Sequence, residues 1–278
     1  MRSRLLAGTA AAALALAAVA VTAGPASAAD DAKLSVLHGV PGLTVDVWVN
    51  GKLTLDDFKP GKLAGPLDLP AGTYTVAITA ADAKDDSDPA IGPVDLKLAA
   101  GKNYTAVAHL DASGDPTATL FTNDTSTTKP GEGRITVRHV AAAPAVDVLA
   151  GSDAVISNLE NPDEKVLNLP AGTVSASVVA AGTTEPALLG PADVKVAEGT
   201  NTILYAWGDA TADPSTLALA TQVIDGLHGD PSGVQAGELG LVADSGSTPV
   251  WPYALGALAA LGVAGIAIVG RRRADAQR

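Results

Sequence analysis

The chain of 278 residues has no cysteine, one methionine and few aromatic rings: two Phe, four Tyr and three Trp. Without cysteine there is no thiol nucleophile, no thiolate metal site and no disulfide scaffold, which fits an exported protein that stays clear of thiol chemistry. With so few rings, the cores must be built mainly from Val, Leu, Ile and Ala. Basic residues are scarce too, 18 Lys and Arg against 30 Asp and Glu. Arg2, Arg4, Arg271, Arg272, Arg273 and Arg278 sit at the two ends, so the net charge between Ala29 and Val250 is −17. A surface of that sign repels nucleic acid and anionic headgroups and attracts cations or basic partners; it also keeps a protein soluble. Between the ends there is no Gly-x-Ser-x-Gly elbow, His-Glu-x-x-His helix, phosphate-binding loop or dinucleotide turn. No catalytic or cofactor-binding residue is therefore assigned, and the reading is of a protein that is not an enzyme.

The two ends read as targeting segments. Arg2 and Arg4 precede an apolar run from Leu5 to Val21, the helix breakers Gly24 and Pro25, and the small residues Ala26-Ser27-Ala28. This predicts a signal peptide over 1–28 cleaved after Ala28; the alternative is an uncleaved N-terminal anchor. Residues 250–269 are uncharged and apolar, enough to cross a hydrocarbon core of roughly 30 Å as a helix. Trp251 and Tyr253 stand at its outer edge and Arg271–Arg273 at the other. The positive-inside rule then puts the basic tail 270–278 in the cytoplasm and the rest outside. Val242-Ala243-Asp244-Ser245-Gly246 is a degenerate form of the Leu-Ala-x-Thr-Gly sorting motif, so wall attachment by a sortase is the alternative to a retained single-pass anchor.

Between these segments lies an internal duplication. Leu34-Ser35-Val36-Leu37-His38 returns as Ile135-Thr136-Val137-Arg138-His139, and Val45-Asp46-Val47 as Val146-Asp147-Val148. Leu69-Pro70-Ala71-Gly72-Thr73 returns unchanged at 169–173, and Gly92-Pro93-Val94-Asp95 as Gly190-Pro191-Ala192-Asp193. The order is kept, which predicts one domain present twice, at 33–123 and 134–223. Within each copy, short runs of period-two alternation, rich in Val and Thr, are broken by Gly, Pro and Asn. Six such runs in the first copy predict an all-β fold of two tandem immunoglobulin-like antiparallel β-sandwiches. The Thr-, Ser- and Pro-rich stretch 124–133 is expected to be an exposed linker, and the Gly-rich 224–249 a flexible stalk.

Val36-Leu37-His38-Gly39-Val40-Pro41, then Val45-Asp46-Val47-Trp48-Val49-Asn50-Gly51, then Leu69-Pro70-Ala71-Gly72-Thr73-Tyr74, resemble the bacterial family catalogued as domain of unknown function 4397. The second copy repeats the match but has Ala150-Gly151-Ser152 for the Asn-Gly turn and Val174 for Tyr74. The resemblance implies an exported β-sandwich module of actinobacterial surfaces, often beside anchors, and implies no activity.

Four recurring polar residues form a structural signature. His38 and His139 share a strand side with the apolar Leu34 and Val36, or Ile135 and Val137, and read as core or loop-locking hydrogen bonders. Asp46 and Asp147, each between two valines, are expected to cap a turn or pair with the His of their own copy. A loop dense in carboxylates, Asp82, Asp85, Asp86 and Asp88, suits a hard cation and makes these residues weak calcium candidates, although their spacing is not that of an EF-hand. A solvated hairpin tip is the alternative, and no metal site is assigned. The expected partners are the membrane through the C-terminal helix and a cell-wall, surface-protein or polysaccharide ligand.

Overall fold

The computed structural model describes residues 30–229. The leader with Ala28, residues 230–249 of the stalk, Val242–Gly246, the 250–269 span and the basic tail lie outside the described residues. Among the described residues no helix is present, and the chain is all-β with 16 strands.

The first sandwich comprises β1 (Ala32–His38), β2 (Val45–Val49), β3 (Lys52–Phe58), β4 (Leu63–Leu69), β5 (Gly72–Ala80), β6 (Ile91–Leu98), β7 (Asn103–Leu110) and β8 (Pro116–Thr122). The second repeats the series as β9 (Glu132–Ala142), β10 (Val146–Ala150), β11 (Asp153–Leu159), β12 (Glu164–Pro170), β13 (Gly172–Ala180), β14 (Ala187–Val196), β15 (Asn201–Asp209) and β16 (Ala218–Ile224). Each copy makes two four-stranded sheets, ordered β4-β1-β7-β8 and β3-β2-β5-β6, then β12-β9-β15-β16 and β11-β10-β13-β14. The expectation of antiparallel sheets needs one correction. β1 runs parallel to β7, and β9 to β15, because the chain leaves each sheet and returns to it after crossing to the other.

Two strands per copy carry no readable alternation: β3 (KLTLDDF) and β4 (LAGPLDL), matched by β11 and β12. All four are outermost in their sheets and largely exposed. An edge strand buries little and is held by its ladder rather than by an apolar face. Inside the first sandwich, Val45, Val47, Ile78 and Ile91 form one end of the core, and Leu34, Leu96, Leu98 and Tyr104 the other. Ile135, Val137, Val146, Val148, Ile156 and Leu159 do the same work in the second.

The sheets that contain β1 and β9 are buried on both faces. Leu37, Val107 and Phe121 of the first copy pack against Val140, Ile203, Tyr205 and Trp207 of the second. β7 meets both β15 and β9 across this contact. Around Arg138 the contact is polar. Its Nε donates to Glu164 Oε2 (2.7 Å), its Nη1 donates to Tyr205 Oη (2.8 Å), and the guanidinium lies 4.3 Å from the centroid of Phe121. Tyr205 Oη donates on to Gln222 Oε1 (2.6 Å), which also accepts from Thr105 Oγ1 (2.9 Å), while Gln222 Nε2 donates to Ser35 Oγ (3.2 Å). One chain of hydrogen bonds thus ties the copies together through buried groups that would be costly to leave unpaired.

The stretch 124–133 is largely exposed, as a linker is expected to be, but it is anchored at a few points. Thr128 is buried and its N–H donates to Leu227 O (2.8 Å), Arg134 forms an ion pair with Asp124 (3.0 Å), and Glu132 and Gly133 already belong to β9. The start of the expected stalk is docked as well: Ile224 ends β16, and Leu227 is buried with its N–H on Gly199 O (2.8 Å). Backbone groups leaving a sheet must find partners, and here each segment supplies them for the other.

Candidate functional site

The strand directions gather loops at two ends. At one end lie the β1–β2, β3–β4, β5–β6 and β7–β8 loops and their counterparts in the second copy; Asp30 and Gly229 lie at the other. The loop ends of both copies are together, since Asn161 in the β11–β12 loop donates from Nδ2 to Leu110 O at the end of β7 (2.9 Å) and to Ala141 O (2.6 Å).

His38 and His139 fix the first loop of each copy in the same way. His38 Nε2 donates to Leu43 O (2.7 Å), while its Nδ1 accepts a longer contact from Val40 N–H (3.4 Å). His139 Nε2 donates to Pro144 O (3.0 Å) and its Nδ1 accepts from Ala141 N–H (3.4 Å). Both rings are almost fully buried. A third buried imidazole, His109, was not singled out in the sequence because nothing repeats it: Trp207 stands at its place in the second copy. Its Nδ1 donates to Leu110 O (2.8 Å) and its Nε2 meets Thr119 Oγ1 (2.9 Å).

Burial holds all three imidazoles below the ordinary histidine value of 6.5, with the carbonyl hydrogen bonds opposing the shift. Their lowered folded pKa fixes the sign of a pH effect. The unfolded chain takes up protons first on acidification, so the histidine contribution is complete above about pH 6.5 and is lost as pH falls from there through the lowered folded values. Urea unfolding should therefore give a lower stability at about pH 5.5 than at about pH 7.5. A His38→Ala variant, weaker at neutral pH, should show a shallower fall.

Asp46 and Asp147 hold the irregular ends of β3 and β11, where the register with β2 and β10 shifts, rather than pairing with the histidines. Asp46 Oδ1 accepts from Asp57 N–H (3.0 Å), and Asp147 Oδ1 from Asn158 N–H (2.8 Å). Asp57 and Asn158 have φ of 51° and 52°, a left-handed backbone that Asp and Asn tolerate better than most residues. Asp147 Oδ2 also accepts from Gly182 N–H (2.8 Å). The N–H bonds from Asn158 and Gly182 keep its carboxyl below 3.8.

Asp82, Asp85, Asp86 and Asp88 do not converge. Asp85 accepts from the N–H and hydroxyl of Ser87 in its own turn, which lowers its pKa. Among the described residues, the carboxylates with oxygens within 4.8 Å of one another are instead Asp46, Asp56 and Asp57. These are the residues that could hold a cation, and spacing along the sequence did not reveal them because the β2–β3 pairing brings them together. In the second copy Ser157 and Asn158 stand where Asp56 and Asp57 do.

The loop end is acidic. The β5–β6 loop folds back along its sheet, since a Cβ on Gly51 in the β2–β3 turn would lie 3.9 Å from Asp86 Oδ2. At the loop end the first copy presents Asp82, Asp111 and Asp115 against Lys59 and Lys62, and the second adds Glu160, Asp163, Glu185 and Asp213 with no basic residue in those loops. At the opposite end a groove of about 790 Å³ runs between the copies, lined by Asp30, Lys33, Asp68, Lys102 and Asn103 of the first and by Gln222 and Asp225 of the second.

These features define an all-β protein of two sandwich units, joined through a buried sheet-to-sheet contact, with loops braced by buried histidine and aspartate. Residues 32–149 match the model of the family described as "Domain of unknown function (DUF4397)". The match takes in every strand of the first sandwich and continues through β9 into β10. No curated protein matches the chain.

Proposed function

We propose that the protein is a non-catalytic, membrane-anchored cell-surface protein of actinobacterial type. In this reading it presents two tandem copies of an immunoglobulin-like module for binding or for cell-envelope structure. The leader ending at Ala28 and the apolar span 250–269 with Arg271–Arg273 behind it support export and anchoring. The recurrence of His38, Asp46 and the Leu-Pro-Ala-Gly-Thr turn as His139, Asp147 and 169–173 supports two copies of one module.

The observation that carries the binding role is the braced, acidic loop end. Loops fixed by buried side chains lose little conformational freedom on binding, and the carboxylates of neighbouring loops at the same end favour a basic ligand. The non-catalytic reading draws on the same residues. Each buried imidazole has its ring nitrogens committed to main-chain or threonine groups.

The fluorescently labelled chain should stain cell-envelope or host-surface preparations saturably. Binding should weaken roughly tenfold at high salt and in an Asp115→Asn/Glu160→Gln/Asp163→Asn variant. Staining no stronger than that of an unrelated acidic protein would remove the binding role and leave the structural one. The mature mass in membrane and wall fractions tests the rest. Loss of 1–28 with 250–278 retained is the expected result, and a wall-linked product ending near Val242–Gly246 would put a sortase in place of the anchor.

A further inference from the structure

The two copies differ along one seam. Tyr104 in β7 pairs with Thr122 and lies beside Leu34; the same place in the second copy, paired with Val223 and beside Ile135, holds Thr202. In the first sandwich the Tyr104 ring is buried among Leu34, Leu96 and Leu98, its oxygen accepts from Ala99 N–H (3.2 Å), and β6 closes against β8. In the second the smaller Thr202 turns its hydroxyl to Lys195 O (3.4 Å). β14 and β16 stand apart there, and a trough of about 430 Å³ opens between them.

Three properties of the trough define its ligand. Its walls are the outermost strands of two sheets, so each side offers main-chain N–H and C=O groups with no strand beyond it among the described residues. Its lining on β16 is every second residue, Leu219, Thr221 and Val223, over a floor of Val194, Thr202 and Leu204. From Leu219 to Asp225 this runs for about 20 Å at the rise of an extended chain. Leu219 and Val223 are 40% and 53% exposed, among the most exposed large apolar residues described. The exposed Asp193 and Asp225 flank it, with Lys195 between, on a body whose residues 30–229 carry a net charge of −14.

We propose that the second sandwich binds an extended peptide in this trough. The peptide adds as a strand to β14 or β16, places apolar side chains at alternate positions over Val194 and Leu204, and carries basic residues near Asp193 and Asp225. Strand addition of this kind draws affinity from the main chain and selectivity from alternate side chains. A round apolar ligand would leave the paired edges unused, and the first sandwich, plugged by Tyr104, does not bind.

The probe is a dye-labelled pool of heptapeptides, Lys-Ω-Thr-Ω-Thr-Ω-Lys with Ω an aliphatic or Phe residue, titrated against the full chain in detergent and followed by anisotropy. Saturable binding is expected, roughly tenfold weaker for Thr202→Tyr, which installs the plug of the first copy, and for Leu219→Lys, a change at an exposed position that leaves folding intact. Amide exchange should slow along β14 or β16 and nowhere in β6 or β8. Equal binding of a pool with proline at the central position, binding unchanged by both substitutions, or competition by laurate in place of peptide would each overturn the proposal. Asp115, Glu160 and Asp163 do not line the trough, so the Asp115→Asn/Glu160→Gln/Asp163→Asn variant should bind the pool as the unaltered chain does.

Discussion

Replacing Arg138 with alanine is expected to destabilise the protein by about 3–5 kcal/mol, the range for removing one partner of a buried ion pair. The side chain is 1% exposed while that of Glu164 is 33% exposed, so Glu164 can rehydrate after the loss, which favours the lower part of the range. The packing loss pushes the other way, because the guanidinium covers the rings of both Phe121 and Tyr205, at 4.3 and 5.3 Å. Tyr205 keeps its bond to Gln222 Oε1. The first copy shows what an apolar solution looks like: Leu37 faces Leu63 where Arg138 faces Glu164. An Arg138→Leu/Glu164→Leu double variant should therefore recover most of the stability that the single alanine variant loses. Urea unfolding followed by tryptophan fluorescence checks both. A single alanine variant as stable as the unaltered chain would mean that the two sandwiches do not depend on this contact.

A loss of similar size, about 3–5 kcal/mol, is expected for Trp207→Ala, in line with large aromatic-to-alanine changes in cores. Trp207 sits at the far end of the same contact, where its ring fills space left open by two glycines of the first copy. A Cβ on Gly61 would come within 2.9 Å of its ring, and one on Gly39 within 3.3 Å of its Cβ. Gly61 also has φ of 74°, so a side chain there would strain the turn as well as strike the ring. The indole N–H is buried and meets no acceptor. Trp207→Phe should hence stay within about 1 kcal/mol of the unaltered chain, since it removes a buried donor that earns nothing. Thermal and urea unfolding of the two variants side by side separate ring volume from the N–H group. If Phe proved as damaging as Ala, the indole nitrogen would have to be engaged after all.

The legible parts of the molecule are those governed by short-range patterns. Alternation in Leu34–His38, Val45–Val49 and Tyr104–Leu110 marks strands because side chains on a strand alternate between faces, and recurrence of the same runs near a hundred residues later marks a second copy. The all-β class and the location of the sandwiches follow from these alone. β3, β4, β11 and β12 left no such mark, since edge strands need no continuous apolar face.

Other features depend on residues far apart in the chain. Ser35, Leu37, Thr105 and Gln222 occupy strand positions that local alternation assigns to solvent, yet they are buried. Their burial follows from the pairing of the two copies, which no pattern within one copy encodes. Thr128 of the linker likewise meets Leu227 across about a hundred residues, whereas the carboxylates of Asp46, Asp56 and Asp57, and the trough, each lie within one copy and follow from strand pairing and side-chain volume there. Thr202 is unremarkable until it is placed opposite Tyr104. Sequence by itself determined the module, its duplication and the lack of cysteine chemistry, because these rest on composition and on periods of two. Only the tertiary structure decided which faces meet and which seam stays open, because those depend on side-chain volumes and charges that meet only once the strands are packed together.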